Sequence, residues 1–175
     1  DFLKSEKPFE GSFTIAGNFP YNISTEILFK ILEWKDDVPF VTGMFQKEVA
    51  DRVVAPPGSK TYGVISVLVQ AYYEGTTILD VPPSSFSPPP KVNSSVIRLV
   101  RKEDYTLDCD DRLFRNVVKT AFGQRRKMLR NTLKPLFQSD KILNDSFFTQ
   151  RPEQLSVKDF VDITIKLSNH IKLES

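Results

Sequence analysis

Four consecutive residues, Asn18-Phe19-Pro20-Tyr21, have the types needed to handle a planar amino group. The Asn side-chain oxygen and a neighbouring backbone carbonyl can each accept one N–H of an exocyclic amine, which leaves the nitrogen lone pair aimed at an electrophile. The tyrosine ring can stack on the base that carries the amine. Proline fixes φ and has no N–H, so it holds the carbonyls around it in place. The tetrapeptide closes the apolar run Ser12-Phe13-Thr14-Ile15-Ala16-Gly17. That run predicts a short strand delivering these groups to one edge of a sheet, and in open α/β sheets ligands sit outside the carboxyl ends of the strands. Taken alone, the four residues read equally well as a strand-to-helix turn that uses Asn and Pro as loop formers.

Two further stretches carry chemistry. Pro82-Pro83 and Pro88-Pro89-Pro90 bracket Ser84-Ser85-Phe86-Ser87, a stiff loop that holds one aromatic ring outward. Residues 112–139 hold eight Lys/Arg and no Asp or Glu, a third of the chain's 24 basic residues. Solvated helix faces normally mix signs, so a one-sign stretch in a chain of net charge +2 favours a polyanion partner over a bland surface.

The elements that must position these groups follow from periodicity. After the first strand, Asn22, Ser24 and Thr25 offer caps and Glu26 a first-turn charge. Ile27, Leu28, Ile31 and Leu32 then recur at helical spacing up to Trp34. Residues 38–45 predict a second buried strand of the kind parallel sheets use. A short helix is expected over 46–54, closed by Ala55-Pro56-Pro57-Gly58-Ser59, another over 62–70, and strands over 71–81 and 92–100. Strand–helix alternation followed by a strand pair predicts a Rossmann-like sheet with an antiparallel edge. From Asp104 onward only helices are expected. Leu113, Phe114, Val117, Val118, Ala121 and Phe122 form one apolar stripe. Ser156 caps a last helix whose core side is Phe160, Ile163, Ile165 and Leu167. The expected domains are 1–103, α/β, and 104–175, all-α.

Composition narrows the class. The 175 residues are 40% hydrophobic and 26% charged, which fits one sizeable domain or two small ones. No apolar run approaches the roughly 18 residues of a membrane span, and the start has no signal-peptide pattern. The lone Cys109 excludes an internal disulfide and fits a reducing, cytoplasmic compartment. With the single His170 it cannot build a zinc site, so no metal is expected. The seven glycines are scattered and form no phosphate or nucleotide loop.

Four segments in order carry a family resemblance: Gly17-Asn18-Phe19-Pro20-Tyr21-Asn22-Ile23-Ser24; Gln46-Lys47-Glu48-Val49-Ala50-Asp51-Arg52; Phe86-Ser87-Pro88-Pro89-Pro90-Lys91-Val92-Asn93-Ser94; and Ala121-Phe122-Gly123-Gln124-Arg125-Arg126-Lys127. Together they closely resemble the KsgA-type ribosomal RNA adenine dimethyltransferases, from the first residue to about Leu133. The resemblance implies the later half of a Rossmann-like methyltransferase domain followed by a helical RNA-binding domain. It implies transfer of methyl groups from S-adenosylmethionine to N6 of two adjacent adenosines near the 3′ end of small-subunit (16S) ribosomal RNA. Asn18 and the backbone around Phe19-Pro20 would bind the adenine amino group, with Tyr21 supporting the base and Phe86 stacking on its other face. Asp1 and Asn18 would lie at the cofactor, and Lys47, Arg52, Lys91, Arg125, Arg126, Lys127 and Arg130 would meet RNA of the small-subunit precursor. Position 19 is more often Leu or Ile in the family.

The resemblance also implies that the family's glycine-rich cofactor loop precedes residue 1. The isolated chain is then expected to bind cofactor poorly, to be inactive alone, and to self-associate through an open sheet edge. Two rivals stand beside this reading. One is a macrolide-resistance methyltransferase acting on large-subunit (23S) RNA; the other is a non-catalytic RNA-binding or ribosome-assembly factor. Gln46-Lys47-Glu48-Val49 and the triple proline resemble the KsgA side better than the first. A pure binder has no need of Asn18, Pro20 and Tyr21 together.

Overall fold

The computed structural model describes residues 2–137 and 140–174. Contacts divide the chain into two units, Asp1–Val54 with Tyr72–Tyr105, and Ala55–Ala71 with Thr106–Ser175.

The first unit is a four-stranded sheet in the order β1-β2-β4-β3, built from β1 (Thr14–Asn18), β2 (Phe40–Gln46), β3 (Tyr73–Val81) and β4 (Ser94–Arg101). β1 runs parallel to β2, and β4 runs antiparallel to both β2 and β3. The β1–β2 pair is parallel because the connection between them contains a helix, α1 (Ser24–Glu33). Ile27, Leu28, Ile31 and Leu32 of α1 are buried, as the spacing requires. Beyond its end, Trp34 is met edge-on by Phe2 and Phe13. The expected cap is different: Ser24 turns its hydroxyl back to the carbonyls of Pro20 and Tyr21, at 3.0 and 3.2 Å, so it secures the preceding turn instead of the first helical N–H groups.

β2 is not buried on both faces. Val41, Gly43 and Phe45 point inward and alternate with half-exposed neighbours. Helix α2 (Lys47–Val54) contacts β2, β3 and β4. β3 is an edge strand with a register irregularity between Thr77 and Leu79, and it exposes Ile78 and Leu79. β1 is the other edge among the described residues. Edge strands in natural sheets are commonly short or bulged, and both devices occur here.

In the second unit, α4 (Asp111–Phe122) and α8 (Val157–Glu174) pack together with α3 (Val64–Gln70). Phe114, Val117, Val118 and Ala121 are buried, and Phe122 stacks on Phe160 at 5.8 Å between ring centroids. Between them lie α5 (Leu129–Thr132), α6 (Lys134–Phe137) and α7 (Asp140–Leu143), each one turn long. Ser156 caps α8 as expected: its Oγ accepts from the Asp159 N–H, and the Asp159 carboxylate accepts from the Ser156 N–H at 2.8 Å. The core face of α8 is Phe160, Ile163, Thr164 and Leu167, not Ile165. Positions i, i+3, i+4 and i+7 share a face, and Thr164 tolerates burial there by donating to the Phe160 carbonyl at 2.7 Å.

One division near Tyr105 lies beside the boundary expected after residue 103. The difference is the segment Ala55–Ala71, which groups with the helices because the buried Ile65, Val67, Leu68 and Val69 belong to α3, and α3 packs on α4 and α8.

Candidate active site

β1 ends at Asn18, in register with Met44 of β2. The Phe19 N–H then donates to the Met44 carbonyl at 3.2 Å, so the chain is still held to the sheet one residue past the strand. This fixes the backbone from which Asn18 projects, and the Asn18 side chain is exposed. The Phe19 side chain turns inward and packs against Phe45, with ring centroids 4.9 Å apart and planes tilted by 36°. Its ring occupies the space a side chain would need at Gly43: a Cβ built there would come within 2.1 Å of a ring carbon. The aromatic ring at position 19 is thus accommodated by the absence of a side chain on the neighbouring strand.

Pro20 starts the turn Tyr21–Ile23 with φ −59° and ψ 129°. Its carbonyl accepts from the Ile23 N–H at 3.3 Å and from the Ser24 hydroxyl. Among the described residues the Phe19 carbonyl accepts no hydrogen bond, and neither does the Asn18 amide. Two acceptors at adjacent residues are therefore open. The Tyr21 hydroxyl is hydrogen-bonded to the Ser94 hydroxyl at the start of β4. Phe86, half-buried, follows a single turn, Pro83–Ser85, with its N–H donating to the Pro83 carbonyl at 3.1 Å.

These residues line one cavity of about 440 Å³, with Asn18, Phe19, Pro20 and Tyr21 on one side and Phe86, Pro88, Pro89 and Pro90 on the other. Residues 68 positions apart in sequence, Asn18 and Phe86, thereby share a pocket. A pocket lined by Tyr21 and Phe86, and by two residues whose amide oxygen and carbonyl are unengaged, is suited to a flat heterocycle bearing an amino group.

Residues 1–168 of the chain match the family model described as ribosomal RNA adenine dimethylase. The chain belongs to this family. Among its relatives, the ribosomal RNA small subunit methyltransferase A of Flavobacterium johnsoniae is 54% identical over 170 residues, covering 95% of this chain and 65% of that protein. The protein of the same name in Bacteroides thetaiotaomicron is 51% identical, covering 98% and 66%. The chain thus spans slightly less than two thirds of the length of these curated relatives. A solved dimethyladenosine transferase from Plasmodium falciparum superposes with a TM-score of 0.80 at 24% identity, over 96% of this chain and 70% of that one. The 23S rRNA methyltransferase ErmE superposes at 0.64 and 22%, over 94% and 70%. At these identities both speak for the fold, the Rossmann-like one of ribosomal RNA methyltransferases.

The dimethylase-family chain distributes its candidate RNA-binding cations unevenly. Lys47 is held by Asp51 at 3.2 Å and Asp80 at 3.0 Å. The hydrogen bonds that it donates to Asp80 and then Asp51 hold its ammonium above the usual lysine range, and a hydrogen bond from Ser95 together with that from Lys47 holds Asp80 below the usual carboxylate range. Arg52 pairs with Glu48 one helical turn back. Lys91 is exposed, makes no ion pair among the described residues, and lines a second cavity of about 350 Å³ with Lys47, Pro83, Val92 and Asn93. In the helical unit, Arg125 is half-buried and donates to the Ser59 carbonyl at 3.2 Å. Arg126, Lys127 and Arg130 are exposed, and their side chains make no ion pair among the described residues. Asp1 lies outside the described residues.

Two residues beside the pocket carry no role in the motifs: Gly43 lies outside them, and Ser94 only closes the segment that begins at Phe86. A glycine inside an apolar strand marks a close approach, and a Ser94-Ser95 pair opening an otherwise apolar strand marks polar work at its end. Both signals stand in the sequence.

Asn18 lies exposed at the carboxyl end of β1 with its side-chain amide unengaged among the described residues. No helix among the described residues is long and apolar enough to cross a membrane.

Proposed function

We propose that the whole protein methylates N6 of adenosine in small-subunit ribosomal RNA, carrying two adjacent adenosines near the 3′ end to the dimethyl form. The observation that carries the reading is the convergence of Asn18, Phe19, Tyr21 and Phe86 on one pocket. The family match and the names of the relatives support it further.

When bound, S-adenosylmethionine supplies an electrophilic methyl group on sulfur, and such a transfer needs neither a metal nor a covalent nucleophile. Adenine N6 is a poor nucleophile because its lone pair is delocalised into the ring. In the first transfer the Asn18 Oδ1 and the Phe19 carbonyl each accept one N6–H, and in the second the one remaining N6–H is accepted by one of them, which favours a pyramidal nitrogen whose lone pair points away from its acceptors. Pro20, without an N–H and with its own carbonyl engaged, holds that acceptor pair still. Orientation of this kind accounts for much of what an enzyme contributes to a two-reactant step. The reacting base must leave its stack, and Tyr21 and Phe86 replace the lost stacking on its two faces. Adenosines in RNA loops lend themselves to such extrusion. Once the N–C bond has formed, the extra N6 proton passes to water, since neither an amide nor a peptide carbonyl is a base at neutral pH.

Arg126, Lys127, Arg130 and Lys91 hold the RNA backbone in this reading. Asn18 and Asp1 belong to the cofactor side, and the protein works in the cytoplasm on a precursor of the small subunit. The test is a methyl-transfer assay of the whole protein on isolated small and large ribosomal subunits, with the modified nucleosides identified by mass spectrometry. Dimethyladenosine in small-subunit RNA is expected. Product only in large-subunit RNA favours the resistance-type rival, and RNA binding without any product favours the assembly factor.

A further inference from the structure

Tyr21 projects from a single turn, and its hydroxyl reaches Ser94 across 73 residues of sequence. Among the described residues that bond is the only hydrogen bond or ring contact made by the Tyr21 side chain. Ser94 is fully buried, at 0% exposure, and is the first residue of β4, in register with Gln46 of β2 and Val81 of β3.

The start of β4 is itself braced. The neighbouring Ser95 donates to Asp80 at 2.5 Å, Asp80 holds Lys47, and the Lys47 N–H donates to the Asn93 carbonyl at 2.9 Å. The loop carrying Phe86 leaves β3 at Val81 and re-enters the sheet at Ser94. Both aromatic walls of the pocket are therefore referred to one point: Tyr21 through a side-chain bond, Phe86 through the strand ends that close its loop.

We propose that Ser94 is a positioning residue for the target base. By holding the Tyr21 hydroxyl it fixes the plane of the Tyr21 ring relative to Phe86, and hence the angle at which the base presents its amino group to Asn18. The inference rests on the reading of the pocket given above. A tyrosine is needed here in place of phenylalanine for this bond alone, since stacking requires only the ring. The second hydroxyl of the pair, Ser95, serves the brace and not the ring.

The test uses the whole protein with Ser94→Ala, Tyr21→Phe and the double variant, each checked for an unchanged melting temperature. Single-turnover methyl transfer to small subunits is expected to fall by about tenfold in Ser94→Ala, roughly the worth of one hydrogen bond expressed as a rate. Tyr21→Phe, which removes the same bond without touching β4, should lose as much, and the double variant no more than either. RNA affinity should stay within about twofold of the parent, because the lost interaction orients the base and does not hold the backbone. Independent losses that multiply in the double variant, or full activity in Ser94→Ala, overturn the inference.

A second readout does not depend on turnover. With tyrosine labelled at the ring carbon bearing the hydroxyl, the NMR signal absent from Tyr21→Phe is that of Tyr21, and it should shift in Ser94→Ala. An unmoved signal in an active protein overturns the inference about Ser94 alone. A protein that methylates neither subunit while the signal still moves overturns the reading of the pocket, and the catalytic role of the bond with it.

Discussion

The pocket at the end of β1 and the basic stretch of the helical unit are built on opposite principles. In the pocket each group has a stereochemical partner: Asn18 is aimed by a strand in register with Met44, Phe19 by the gap at Gly43, Tyr21 by Ser94. Among the described residues, no such stereochemical partner defines Arg126, Lys127 and Arg130, and only charge is common to them. The consequence is that the pocket residues converge as a set, whereas the cations part company. Arg125 turns to the Ser59 carbonyl, while Arg126, Lys127 and Arg130 face solvent. A site specified by shape tolerates little substitution. A site specified by charge is a sum in which each member counts separately.

The first way to break this comparison is at Asn18. In the whole protein, Asn18→Ala should reduce methyl transfer by about 10²–10³-fold, the scale of losing one preorganised polar contact at a reacting group. RNA affinity should barely change, because the contact matters chiefly on the way to the transition state. Equal losses in rate and in RNA binding would make Asn18 a turn residue and the pocket no more exacting than the charged surface.

Gly43 offers the next largest effect. A methyl group there must displace the Phe19 ring, and overpacking of this kind costs about 1–3 kcal/mol. Gly43→Ala should therefore lower the melting temperature by several degrees and slow methyl transfer, since Phe19 carries one of the two acceptors. Phe19→Leu, a smaller side chain, should restore part of the loss in the double variant, the rest remaining because the added methyl also comes within 2.9 Å of the Gly17 carbonyl oxygen. A Gly43→Ala protein of parental stability and activity would show that the Phe19 ring does not set the backbone at the pocket.

These two positions also mark what was legible in the sequence. Asn18, Pro20, Tyr21 and Phe86 stand in motifs because local backbone chemistry, a strand end and proline brackets, determines what they do. Gly43 and Ser94 act across strands, and periodicity alone does not say which strand lies beside which. The order β1-β2-β4-β3, with β4 inserted between two earlier strands, is what brings Ser94 within reach of Tyr21. The grouping of Ala55–Ala71 with the helices was hidden for the same reason, because an apolar helix does not announce which apolar surface it covers. Charge was the least legible feature: Lys47 and Arg52 look like free cations until the carboxylates of Asp51, Asp80 and Glu48 are placed beside them.

The basic stretch can be dissected by salt. Each phosphate contact contributes roughly 0.7–0.9 to the slope of log affinity against log salt. Arg126→Gln and Lys127→Gln should each flatten the slope by about that amount for ribosomal RNA, and together by about twice it. Arg125→Gln should flatten it less and instead lower the melting temperature, because its guanidinium serves the Ser59 carbonyl. Equal slopes lost at all three positions would return Arg125 to the common pool of charge.

The smallest effect separates two lysines of the sheet unit. Lys47 already has two carboxylates within 3.2 Å, so RNA gains little net charge contact from it. Lys91 has no such partner among the described residues and faces a cavity that also exposes Val92. Lys91→Gln should therefore flatten the salt slope by about 0.7–0.9, while Lys47→Gln should leave it nearly unchanged. If the two variants behave alike, the Asp51 and Asp80 carboxylates let go of Lys47 when RNA arrives, and Asp80→Asn would then strengthen RNA binding. A flat response at Lys47 with a measurable one at Lys91 means that even among cations of one unit, what decides the contribution is the partner each already holds.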